Sequence, residues 1–442
     1  MLARMFCSLR LVSQAFGRRL GFVGLGLSFI VFSAAPVSAT IGVAYQMLLG
    51  NPSSATADPS NHSHYLIQRD VEALDFNDTR RLPNWASWNL TTSDTGSSGR
   101  SSSFYADASL PSGFYQVQST GYSGSGYDRG HMCPSGDRTD TVADNDETFL
   151  MSNIIPQSPD NNQGVWANLE GYCRTLAAAG NEVLITCGPE GFSGARTASS
   201  GLVYIPSNVW KIIVVVPPGV GETLNRISNS TRVITVSIPN VQGVRSDPWQ
   251  NYLTSVNQLE TNTGLTFFTA LNPNLAAVLR AKIDGAPAIG ITNFIPTMGD
   301  ANTSVVIRGT NFTGTTAVSF NGQETSFTLD SPNEITATVP SGALSGPISV
   351  IAAGGLSVSA STFTVSSPTA APPTLTISAS GPNLLLAWPA NAAGFTLQQT
   401  PDLNPGNWTS YPGLVTLSGS NRTAMLAPIG NRLFFRLSAT VP

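Results

Sequence analysis

The 442-residue chain is 41% hydrophobic and only 11% charged, with 41 glycines and 30 prolines. That composition excludes a disordered tail and favours β-rich over helical architecture. The length allows two to four domains at roughly 150 residues each, and a net charge of −4 argues against a broad basic face for polyanions.

Residues 1–39 read as an export signal. Arg4, Arg10, Arg18 and Arg19 accompany the apolar stretch LGFVGLGLSFIVFSAAP, and VSA ending at Ala39 is a small-x-small cleavage pattern. A membrane anchor is the alternative. The cleavage pattern and the lack of a later run of about 20 apolar residues favour export. The expected location is therefore secreted, periplasmic or cell-surface, with no transmembrane anchor after signal removal. Removal leaves 18 basic and 26 acidic residues, a net charge of −8, and only Lys211 and Lys282 among the basic ones are not arginine. Arginine grips phosphate with a planar fork, so any phosphate chemistry is expected to be local. Cys133, Cys173 and Cys187 remain; an oxidising compartment permits one disulfide, with Cys173–Cys187 the expected pair and Cys133 free.

Residues 40–285 carry mixed patterns. The stretch GSGYDRGHMCPSGDRT places His131, one of three histidines, behind Asp128 in a glycine-rich polar run. DNNQGVWANLEGYCRTLAAAG reads as a helix, with Asp160 and Gln163 as a capping pair and Gly180 as the stop. NEVLITCGP and VWKIIVVVPP read as buried strands. DGAPAIG, residues 284–290, marks a boundary.

Beyond it the charge nearly vanishes and no helix pattern remains. SVVIRGTNFTG, AVSFNG, EITATVP and GPISVIAAGG alternate apolar and polar at strand spacing, separated by turn residues. Gly309, Phe312, Gly314 and the V-x-F-N-G strand resemble an IPT/TIG domain, an immunoglobulin-like sandwich, over residues 287–366. SSPTAAPP contains a Pro-rich linker at 367–373. Residues 374–442 read as a second, small β-sandwich module. Neither β module clusters His, Glu or Asp, so both are expected to bind or space a surface or polymer of unknown identity.

Tyr127-Asp128-Arg129-Gly130-His131 resembles the D-R-G-H signature of the DNA/RNA non-specific endonucleases with a ββα-metal fold. MSNIIPQSPDNNQGVWANLEGYCR, residues 151–174, resembles that family's second motif, and RLPNWASWNL with GRSSSFYAD its N-terminal segment. The resemblance spans roughly residues 62–275. It implies an α+β chain: a ββα-metal nuclease domain with a mixed sheet over 40–285, followed by two all-β immunoglobulin-like sandwich modules. Hydrolysis of a phosphodiester needs an activated water, a cation and a held phosphate. His131, with an ordinary pKa of about 6.5, suits the base, and Asp128 or a backbone carbonyl is expected to fix its tautomer. Asn162 is the expected metal ligand, for Mg²⁺ with Mn²⁺ as the alternative, because a hard cation that keeps its waters needs few protein donors. At about 100° per residue, Asn162, Trp166, Glu170 and Arg174 step round one helix edge. Glu170 is expected to orient water on the metal and Arg174 to face phosphate. The resemblance assigns Arg129 and Arg100 to phosphate neutralisation and Asn153 to support by hydrogen bonding.

DNA and RNA are the expected substrates, cut with little base selectivity to leave 5′-phosphate ends. Two competing constellations are a Cys133/His131 nucleophilic pair and a metal clip at His62 and His64. The whole-protein alternatives are an exported binding or adhesion protein with an inactive nuclease-like domain, and a related phosphodiesterase.

Overall fold

The computed structural model describes residues 43–197, 202–366, 373–380, 383–390, 392, 395–401, 403, 407–426 and 433–439. The expected signal and residues 367–372 of the expected linker lie outside the described residues.

The first part is built on strands β1 (Tyr65–Gln68), β2 (Ala73–Asn77) and β3 (Leu82–Leu90). An insertion follows that holds β4 (Asp128–His131), α1 (Val142–Glu147), β5 (Ile154–Gln157) and α2 (Ala167–Ala178). The chain then returns to the sheet with β6 (Glu182–Arg196), β7 (Tyr204–Val216) and β8 (Arg232–Pro239), before α3 (Val256–Thr263) and α4 (Pro273–Ala281). The six-stranded sheet runs β1-β2-β3-β6-β7-β8. Every ladder in it is antiparallel, so the sheet expected to be mixed is not. The strands come as two meanders joined through the β3–β6 pair, and none needs the crossover that parallel pairing demands.

Both faces of this sheet are covered, which explains the near-continuous apolar strands. Along β7, Val209 and Ile213 face α2, whereas Trp210, Ile212 and Val214 face α3 and α4, the period-2 alternation of a strand. Antiparallel β4 and β5, followed by α2, form the expected ββα unit against the first face.

The helix starts differently from the expected capped helix at Asp160. Residues Asn161–Trp166 form a π-helical turn with a kink at Gly164, and α2 proper begins at Ala167. Asp160 makes no side-chain cap; its carboxylate accepts from Gly243 N at 2.7 Å and Arg245 Nε at 2.8 Å. Gly180, at φ +88°, ends the helix as expected, since a left-handed residue favours glycine.

The next part consists of β9 (Gly290–Ile295), β10 (Met298–Gly299), β11 (Ser304–Thr310), β12 (Ala317–Phe320), β13 (Gln323–Thr325), β14 (Phe327–Ser331), β15 (Glu334–Thr338), β16 (Gly346–Ala352) and β17 (Gly355–Val365). They form two sheets, β14-β15-β11-β9 and β10-β17-β16-β12-β13, around Phe312, Phe320 and Phe363. This is the expected sandwich. It abuts α4 through β16 and β17, and Ile283 N donates to Ala353 O at 3.0 Å. A second small β module follows, with its own core around Leu386, Trp388 and Leu397.

Candidate active site

His131 ends β4 and Asn153 fixes that end. Asn153 is fully buried; its Nδ2 donates to Cys133 O and Thr148 O, both at 2.9 Å, and its Oδ1 accepts from Cys133 N at 2.9 Å. The glycine of D-R-G-H is required by packing. A Cβ on Gly130 would lie 2.6 Å from Gln157 Cβ on the paired strand. Gln157 in turn donates to Asn161 Oδ1, and Asn161 to Pro239 O, which ties β5 and the π turn to the main sheet.

One cleft of about 440 Å³ gathers Arg100, Arg129, His131, Asn162, Glu170 and Arg174. His131 is 8% exposed and walled by Phe149, edge-on at 4.7 Å, and Phe104 at 5.3 Å. Burial pushes its pKa down to about 3, helped by Arg100 and Arg129. The imidazole is therefore neutral, the state a base requires, throughout the neutral range.

The expected tautomer clamp is absent. Asp128 lies three residues earlier on the strand, so it projects to the opposite side. Its Oδ2 instead accepts from Asn162 Nδ2 at 2.9 Å and Gln163 Nε2 at 2.7 Å. His131 Nε2 is buried with no hydrogen-bond partner among the described residues. Asp128 thus orients Asn162: with Nδ2 engaged, Oδ1 is the amide atom left for a cation. No group of three or more His, Cys, Asp or Glu side chains able to hold a metal occurs among the described residues. A cation held mainly through one neutral oxygen and its own waters fits this donor set, and Mg²⁺ behaves that way.

Glu170 and Arg174 sit on α2 as the helical step implies, whereas Trp166, between Asn162 and Glu170, is buried. The carboxyl of Glu170 is raised to about 7 by burial, against the pull of Lys211. Arg174 Nη1 donates to buried Asp137 Oδ1 at 2.9 Å, and Asp137 Oδ2 accepts from Trp88 Nε1 at 3.1 Å. Arg100 donates to Ser135 Oγ and lies 4.9 Å from the centre of the Phe149 ring; Arg129 stacks on Phe104 at 4.5 Å. Neither arginine is ion-paired with a carboxylate among the described residues. The expected set therefore converges on one cleft, with Asn153 and Asp128 behind it.

Asp137, Ser135 and the two phenylalanines were not foreseen. Nor was Lys211, which is fully buried on β7 beneath the cleft. Its ammonium lies 4.2 Å from the Trp166 ring centre and 5.4 Å from that of Trp88, and Nζ has no hydrogen-bond partner among the described residues. Burial works against its charge, yet the neighbouring Glu170 carboxylate holds its pKa above the usual value. A lone cation inside VWKIIVVV was the available signal.

The competing constellations do not form. Cys133 is buried, with its thiol near Val71 O, and burial pushes its pKa well up. Cys173 and Cys187 are both free, so the expected disulfide is absent, and burial raises each thiol to about 12. His62 and His64 turn Nδ1 to separate carboxylates, Asp78 and Asp75, each at 2.8 Å, rather than towards a shared centre.

A family model for DNA/RNA non-specific endonucleases matches residues 49–274, and one for the IPT/TIG domain matches residues 290–365. A protein named nuclease from Nostoc sp. is 43% identical over 243 residues, covering 55% of this chain and 87% of that protein. Nuclease C1 of Cunninghamella echinulata var. echinulata is 31% identical, covering 49% of this chain and 86% of its own. The mitochondrial nuclease EXOG of Danio rerio is 31% identical over 45% of this chain and 59% of the relative.

Proposed function

The chain belongs to the DNA/RNA non-specific endonuclease family, and from that premise we propose an exported, divalent-metal-dependent enzyme that hydrolyses DNA and RNA with little sequence selectivity. The observation that carries the reading is the convergence of neutral, walled-in His131, Asp128-oriented Asn162 and the carboxylate-free Arg100 and Arg129 on one cleft. An inactive descendant of such a domain has no reason to keep all of them. The leader-like residues 1–39 support export. Among the described residues no helix is long and apolar enough to cross a membrane.

In the proposed reaction the substrate's phosphate enters between Arg100, Arg129 and Arg174. Their guanidiniums offset charge that grows on its oxygens. His131 takes the proton of the attacking water, and Glu170, when ionised, orients the water and its neighbours by accepting hydrogen bonds. Asn162 Oδ1 would hold Mg²⁺, or Mn²⁺ in its place, and the cation would supply charge neutralisation to the phosphate. As the water oxygen bonds to phosphorus the bond to the 3′ oxygen breaks, and that oxygen takes a proton from solvent water, leaving 3′-hydroxyl and 5′-phosphate ends. The side chains grip backbone rather than base edges, the physical source of low selectivity.

The test is cleavage of plasmid, RNA and single-stranded DNA with Mg²⁺, then with EDTA, by the wild type and by His131→Ala. A positioned base contributes about 10²–10⁴-fold, so the variant should lose about that much turnover while still binding substrate. Retention of more than about a tenth of wild-type turnover would remove His131 from the role.

A further inference from the structure

An acidic domain that captures a polyanion must place its uncompensated cations with care. Residues 40–285 contain 21 acidic side chains and 12 arginines. Among the described residues seven of those arginines are tied to carboxylates of the domain itself: Arg69, Arg138, Arg174, Arg226, Arg232, Arg245 and Arg280. Arg100 and Arg129 occupy the cleft. Arg80 and Arg81, on the turn between β2 and β3, also have no carboxylate partner among the described residues. The nearest acid in sequence, Asp78, is engaged by His62 Nδ1 at 2.8 Å and Tyr115 N at 2.7 Å.

These two arginines belong to a built cluster. Arg80 lies 4.5 Å from the Phe192 ring centre, Arg81 3.9 Å from that of Tyr115, and Arg196 4.4 Å from that of Tyr204. Phe192 and Tyr204 meet edge to face at 6.4 Å, and Tyr204 N donates to Arg80 O at 3.2 Å. Aromatic stacking holds each guanidinium flat, so little side-chain freedom is lost when it meets a phosphate. Arg196 is exposed, while Arg80 and Arg81 are half-buried.

One chain segment, residues 115–127, borders two recesses, the first at this corner and the second at the cleft. Tyr115 also borders a recess with Gln118, Thr120 and Val203. Further along the same loop, Tyr122, Ser123 and Tyr127 border a groove that ends at Arg129 and Asn162, which are shared with the cleft. From Ala108 to Tyr127 the loop carries no charged side chain. A polyanion running along it meets no carboxylate of that segment before Asp128, whose Oδ2 is already engaged.

We propose that Arg80, Arg81 and Arg196 form a second phosphate-binding surface. It takes the sugar–phosphate backbone of a nucleic-acid strand whose scissile phosphate lies in the cleft, with residues 115–127 as the track between. The proposal rests on the nuclease reading and adds length-dependent capture to it. Short substrates fill the cleft alone; long ones reach the corner.

The experiment compares wild type with Arg80→Gln/Arg81→Gln on a tetranucleotide and on a 40-residue single strand, across a range of monovalent salt. For the long strand KM should rise about tenfold with little change in kcat, while kcat/KM for the tetranucleotide holds. The salt slope for the long strand should become shallower by about two contacts, at about 0.7 per contact on single strands. Arg80→Lys/Arg81→Lys should recover most of the long-strand affinity, which loss of packing alone would not allow. Equal losses on both substrates, or none on either, would overturn the proposal. Binding of a labelled 40-residue strand to His131→Ala, with and without the Gln pair, needs no cleavage. It tests the surface even if the wild type cleaves nothing, an outcome that would sink the nuclease reading instead. If the Gln pair fails to fold, Arg196→Gln alone should weaken long-strand binding, and unchanged binding would count against the surface.

Discussion

Gly164→Ala adds one methyl group at the kink between the π turn and α2. The new Cβ would sit 2.5 Å from Arg245 O and 2.6 Å from Arg245 Cα. Both are backbone atoms, so no side-chain rotation relieves the clash. The 243–245 loop cannot yield freely, because Asp160 clamps it through Gly243 N and Arg245 Nε. Overpacking costs about 1–3 kcal/mol, so the variant should lose about that much stability if the clash is not relieved. Relief must come from movement of the turn that carries Asn162, two residues away. A shift of about 1 Å there is enough to cost about 10²-fold in rate. Urea unfolding measures the first effect, and single-turnover cleavage under metal titration measures the second. A variant that unfolds within about 0.5 kcal/mol of wild type, the scatter of an ordinary surface change, and cleaves at its rate would show that the close approach constrains nothing.

Asn162→Ala should raise the Mg²⁺ concentration needed for half-maximal rate, since the cation loses its main protein donor; superimposable titrations would place the ligand elsewhere. With the Glu170 carboxyl at about 7, raised from 4.5, activity that needs the carboxylate should climb through neutrality. The drop should be about tenfold for each pH unit further into acid. Glu170→Gln should erase that inflection, and a profile unchanged by the substitution would exclude Glu170 as its source. Unfolding should not mimic the effect. Glu170 stabilises the fold below pH 4.5 and loses that contribution as pH rises through 7. His131, lowered from 6.5 to about 3, has its contribution intact above 6.5 and loses it as pH falls towards 3. The two slopes oppose each other between 4.5 and 6.5, so circular dichroism should change little there while activity falls. Cys133→Ala should retain near-full cleavage and become no more or less sensitive to thiol alkylation, because that thiol is buried and protonated; a folded but dead variant would revive a thiol nucleophile.

The chemistry of the cleft was legible because its residues are scarce and close in sequence. His131 is one of three histidines, Glu170 and Arg174 lie four residues apart on α2, and Asn162 lies in the π turn just before it. What stayed hidden depends on chain segments far apart in sequence. The kink at Gly164 exists because Arg245 passes close by, and Asp160 is drawn from its cap position by the same loop. Asp128 was placed beside His131 by adjacency in sequence, but strand alternation sends it to Asn162. Strand direction was equally invisible: apolar runs report burial on both faces, whereas the connections decide that the sheet is antiparallel. The thiols of Cys173 and Cys187 share a core with Trp88 and Val165, and a count of cysteines says nothing about whether neighbours in a core are bonded.

Lys211 makes the interior of the protein a compromise between durability and work. An ammonium that is fully enclosed, without a hydrogen bond among the described residues, costs stability that a leucine or methionine of similar volume would not. The two tryptophan faces and Glu170 return only part of it. The same charge lies under the one acidic side chain of the cleft and draws its proton off. Stability and turnover are therefore set against each other at a single position that no substrate touches. Substitutions that harden this fold are apt to accumulate there at the expense of rate.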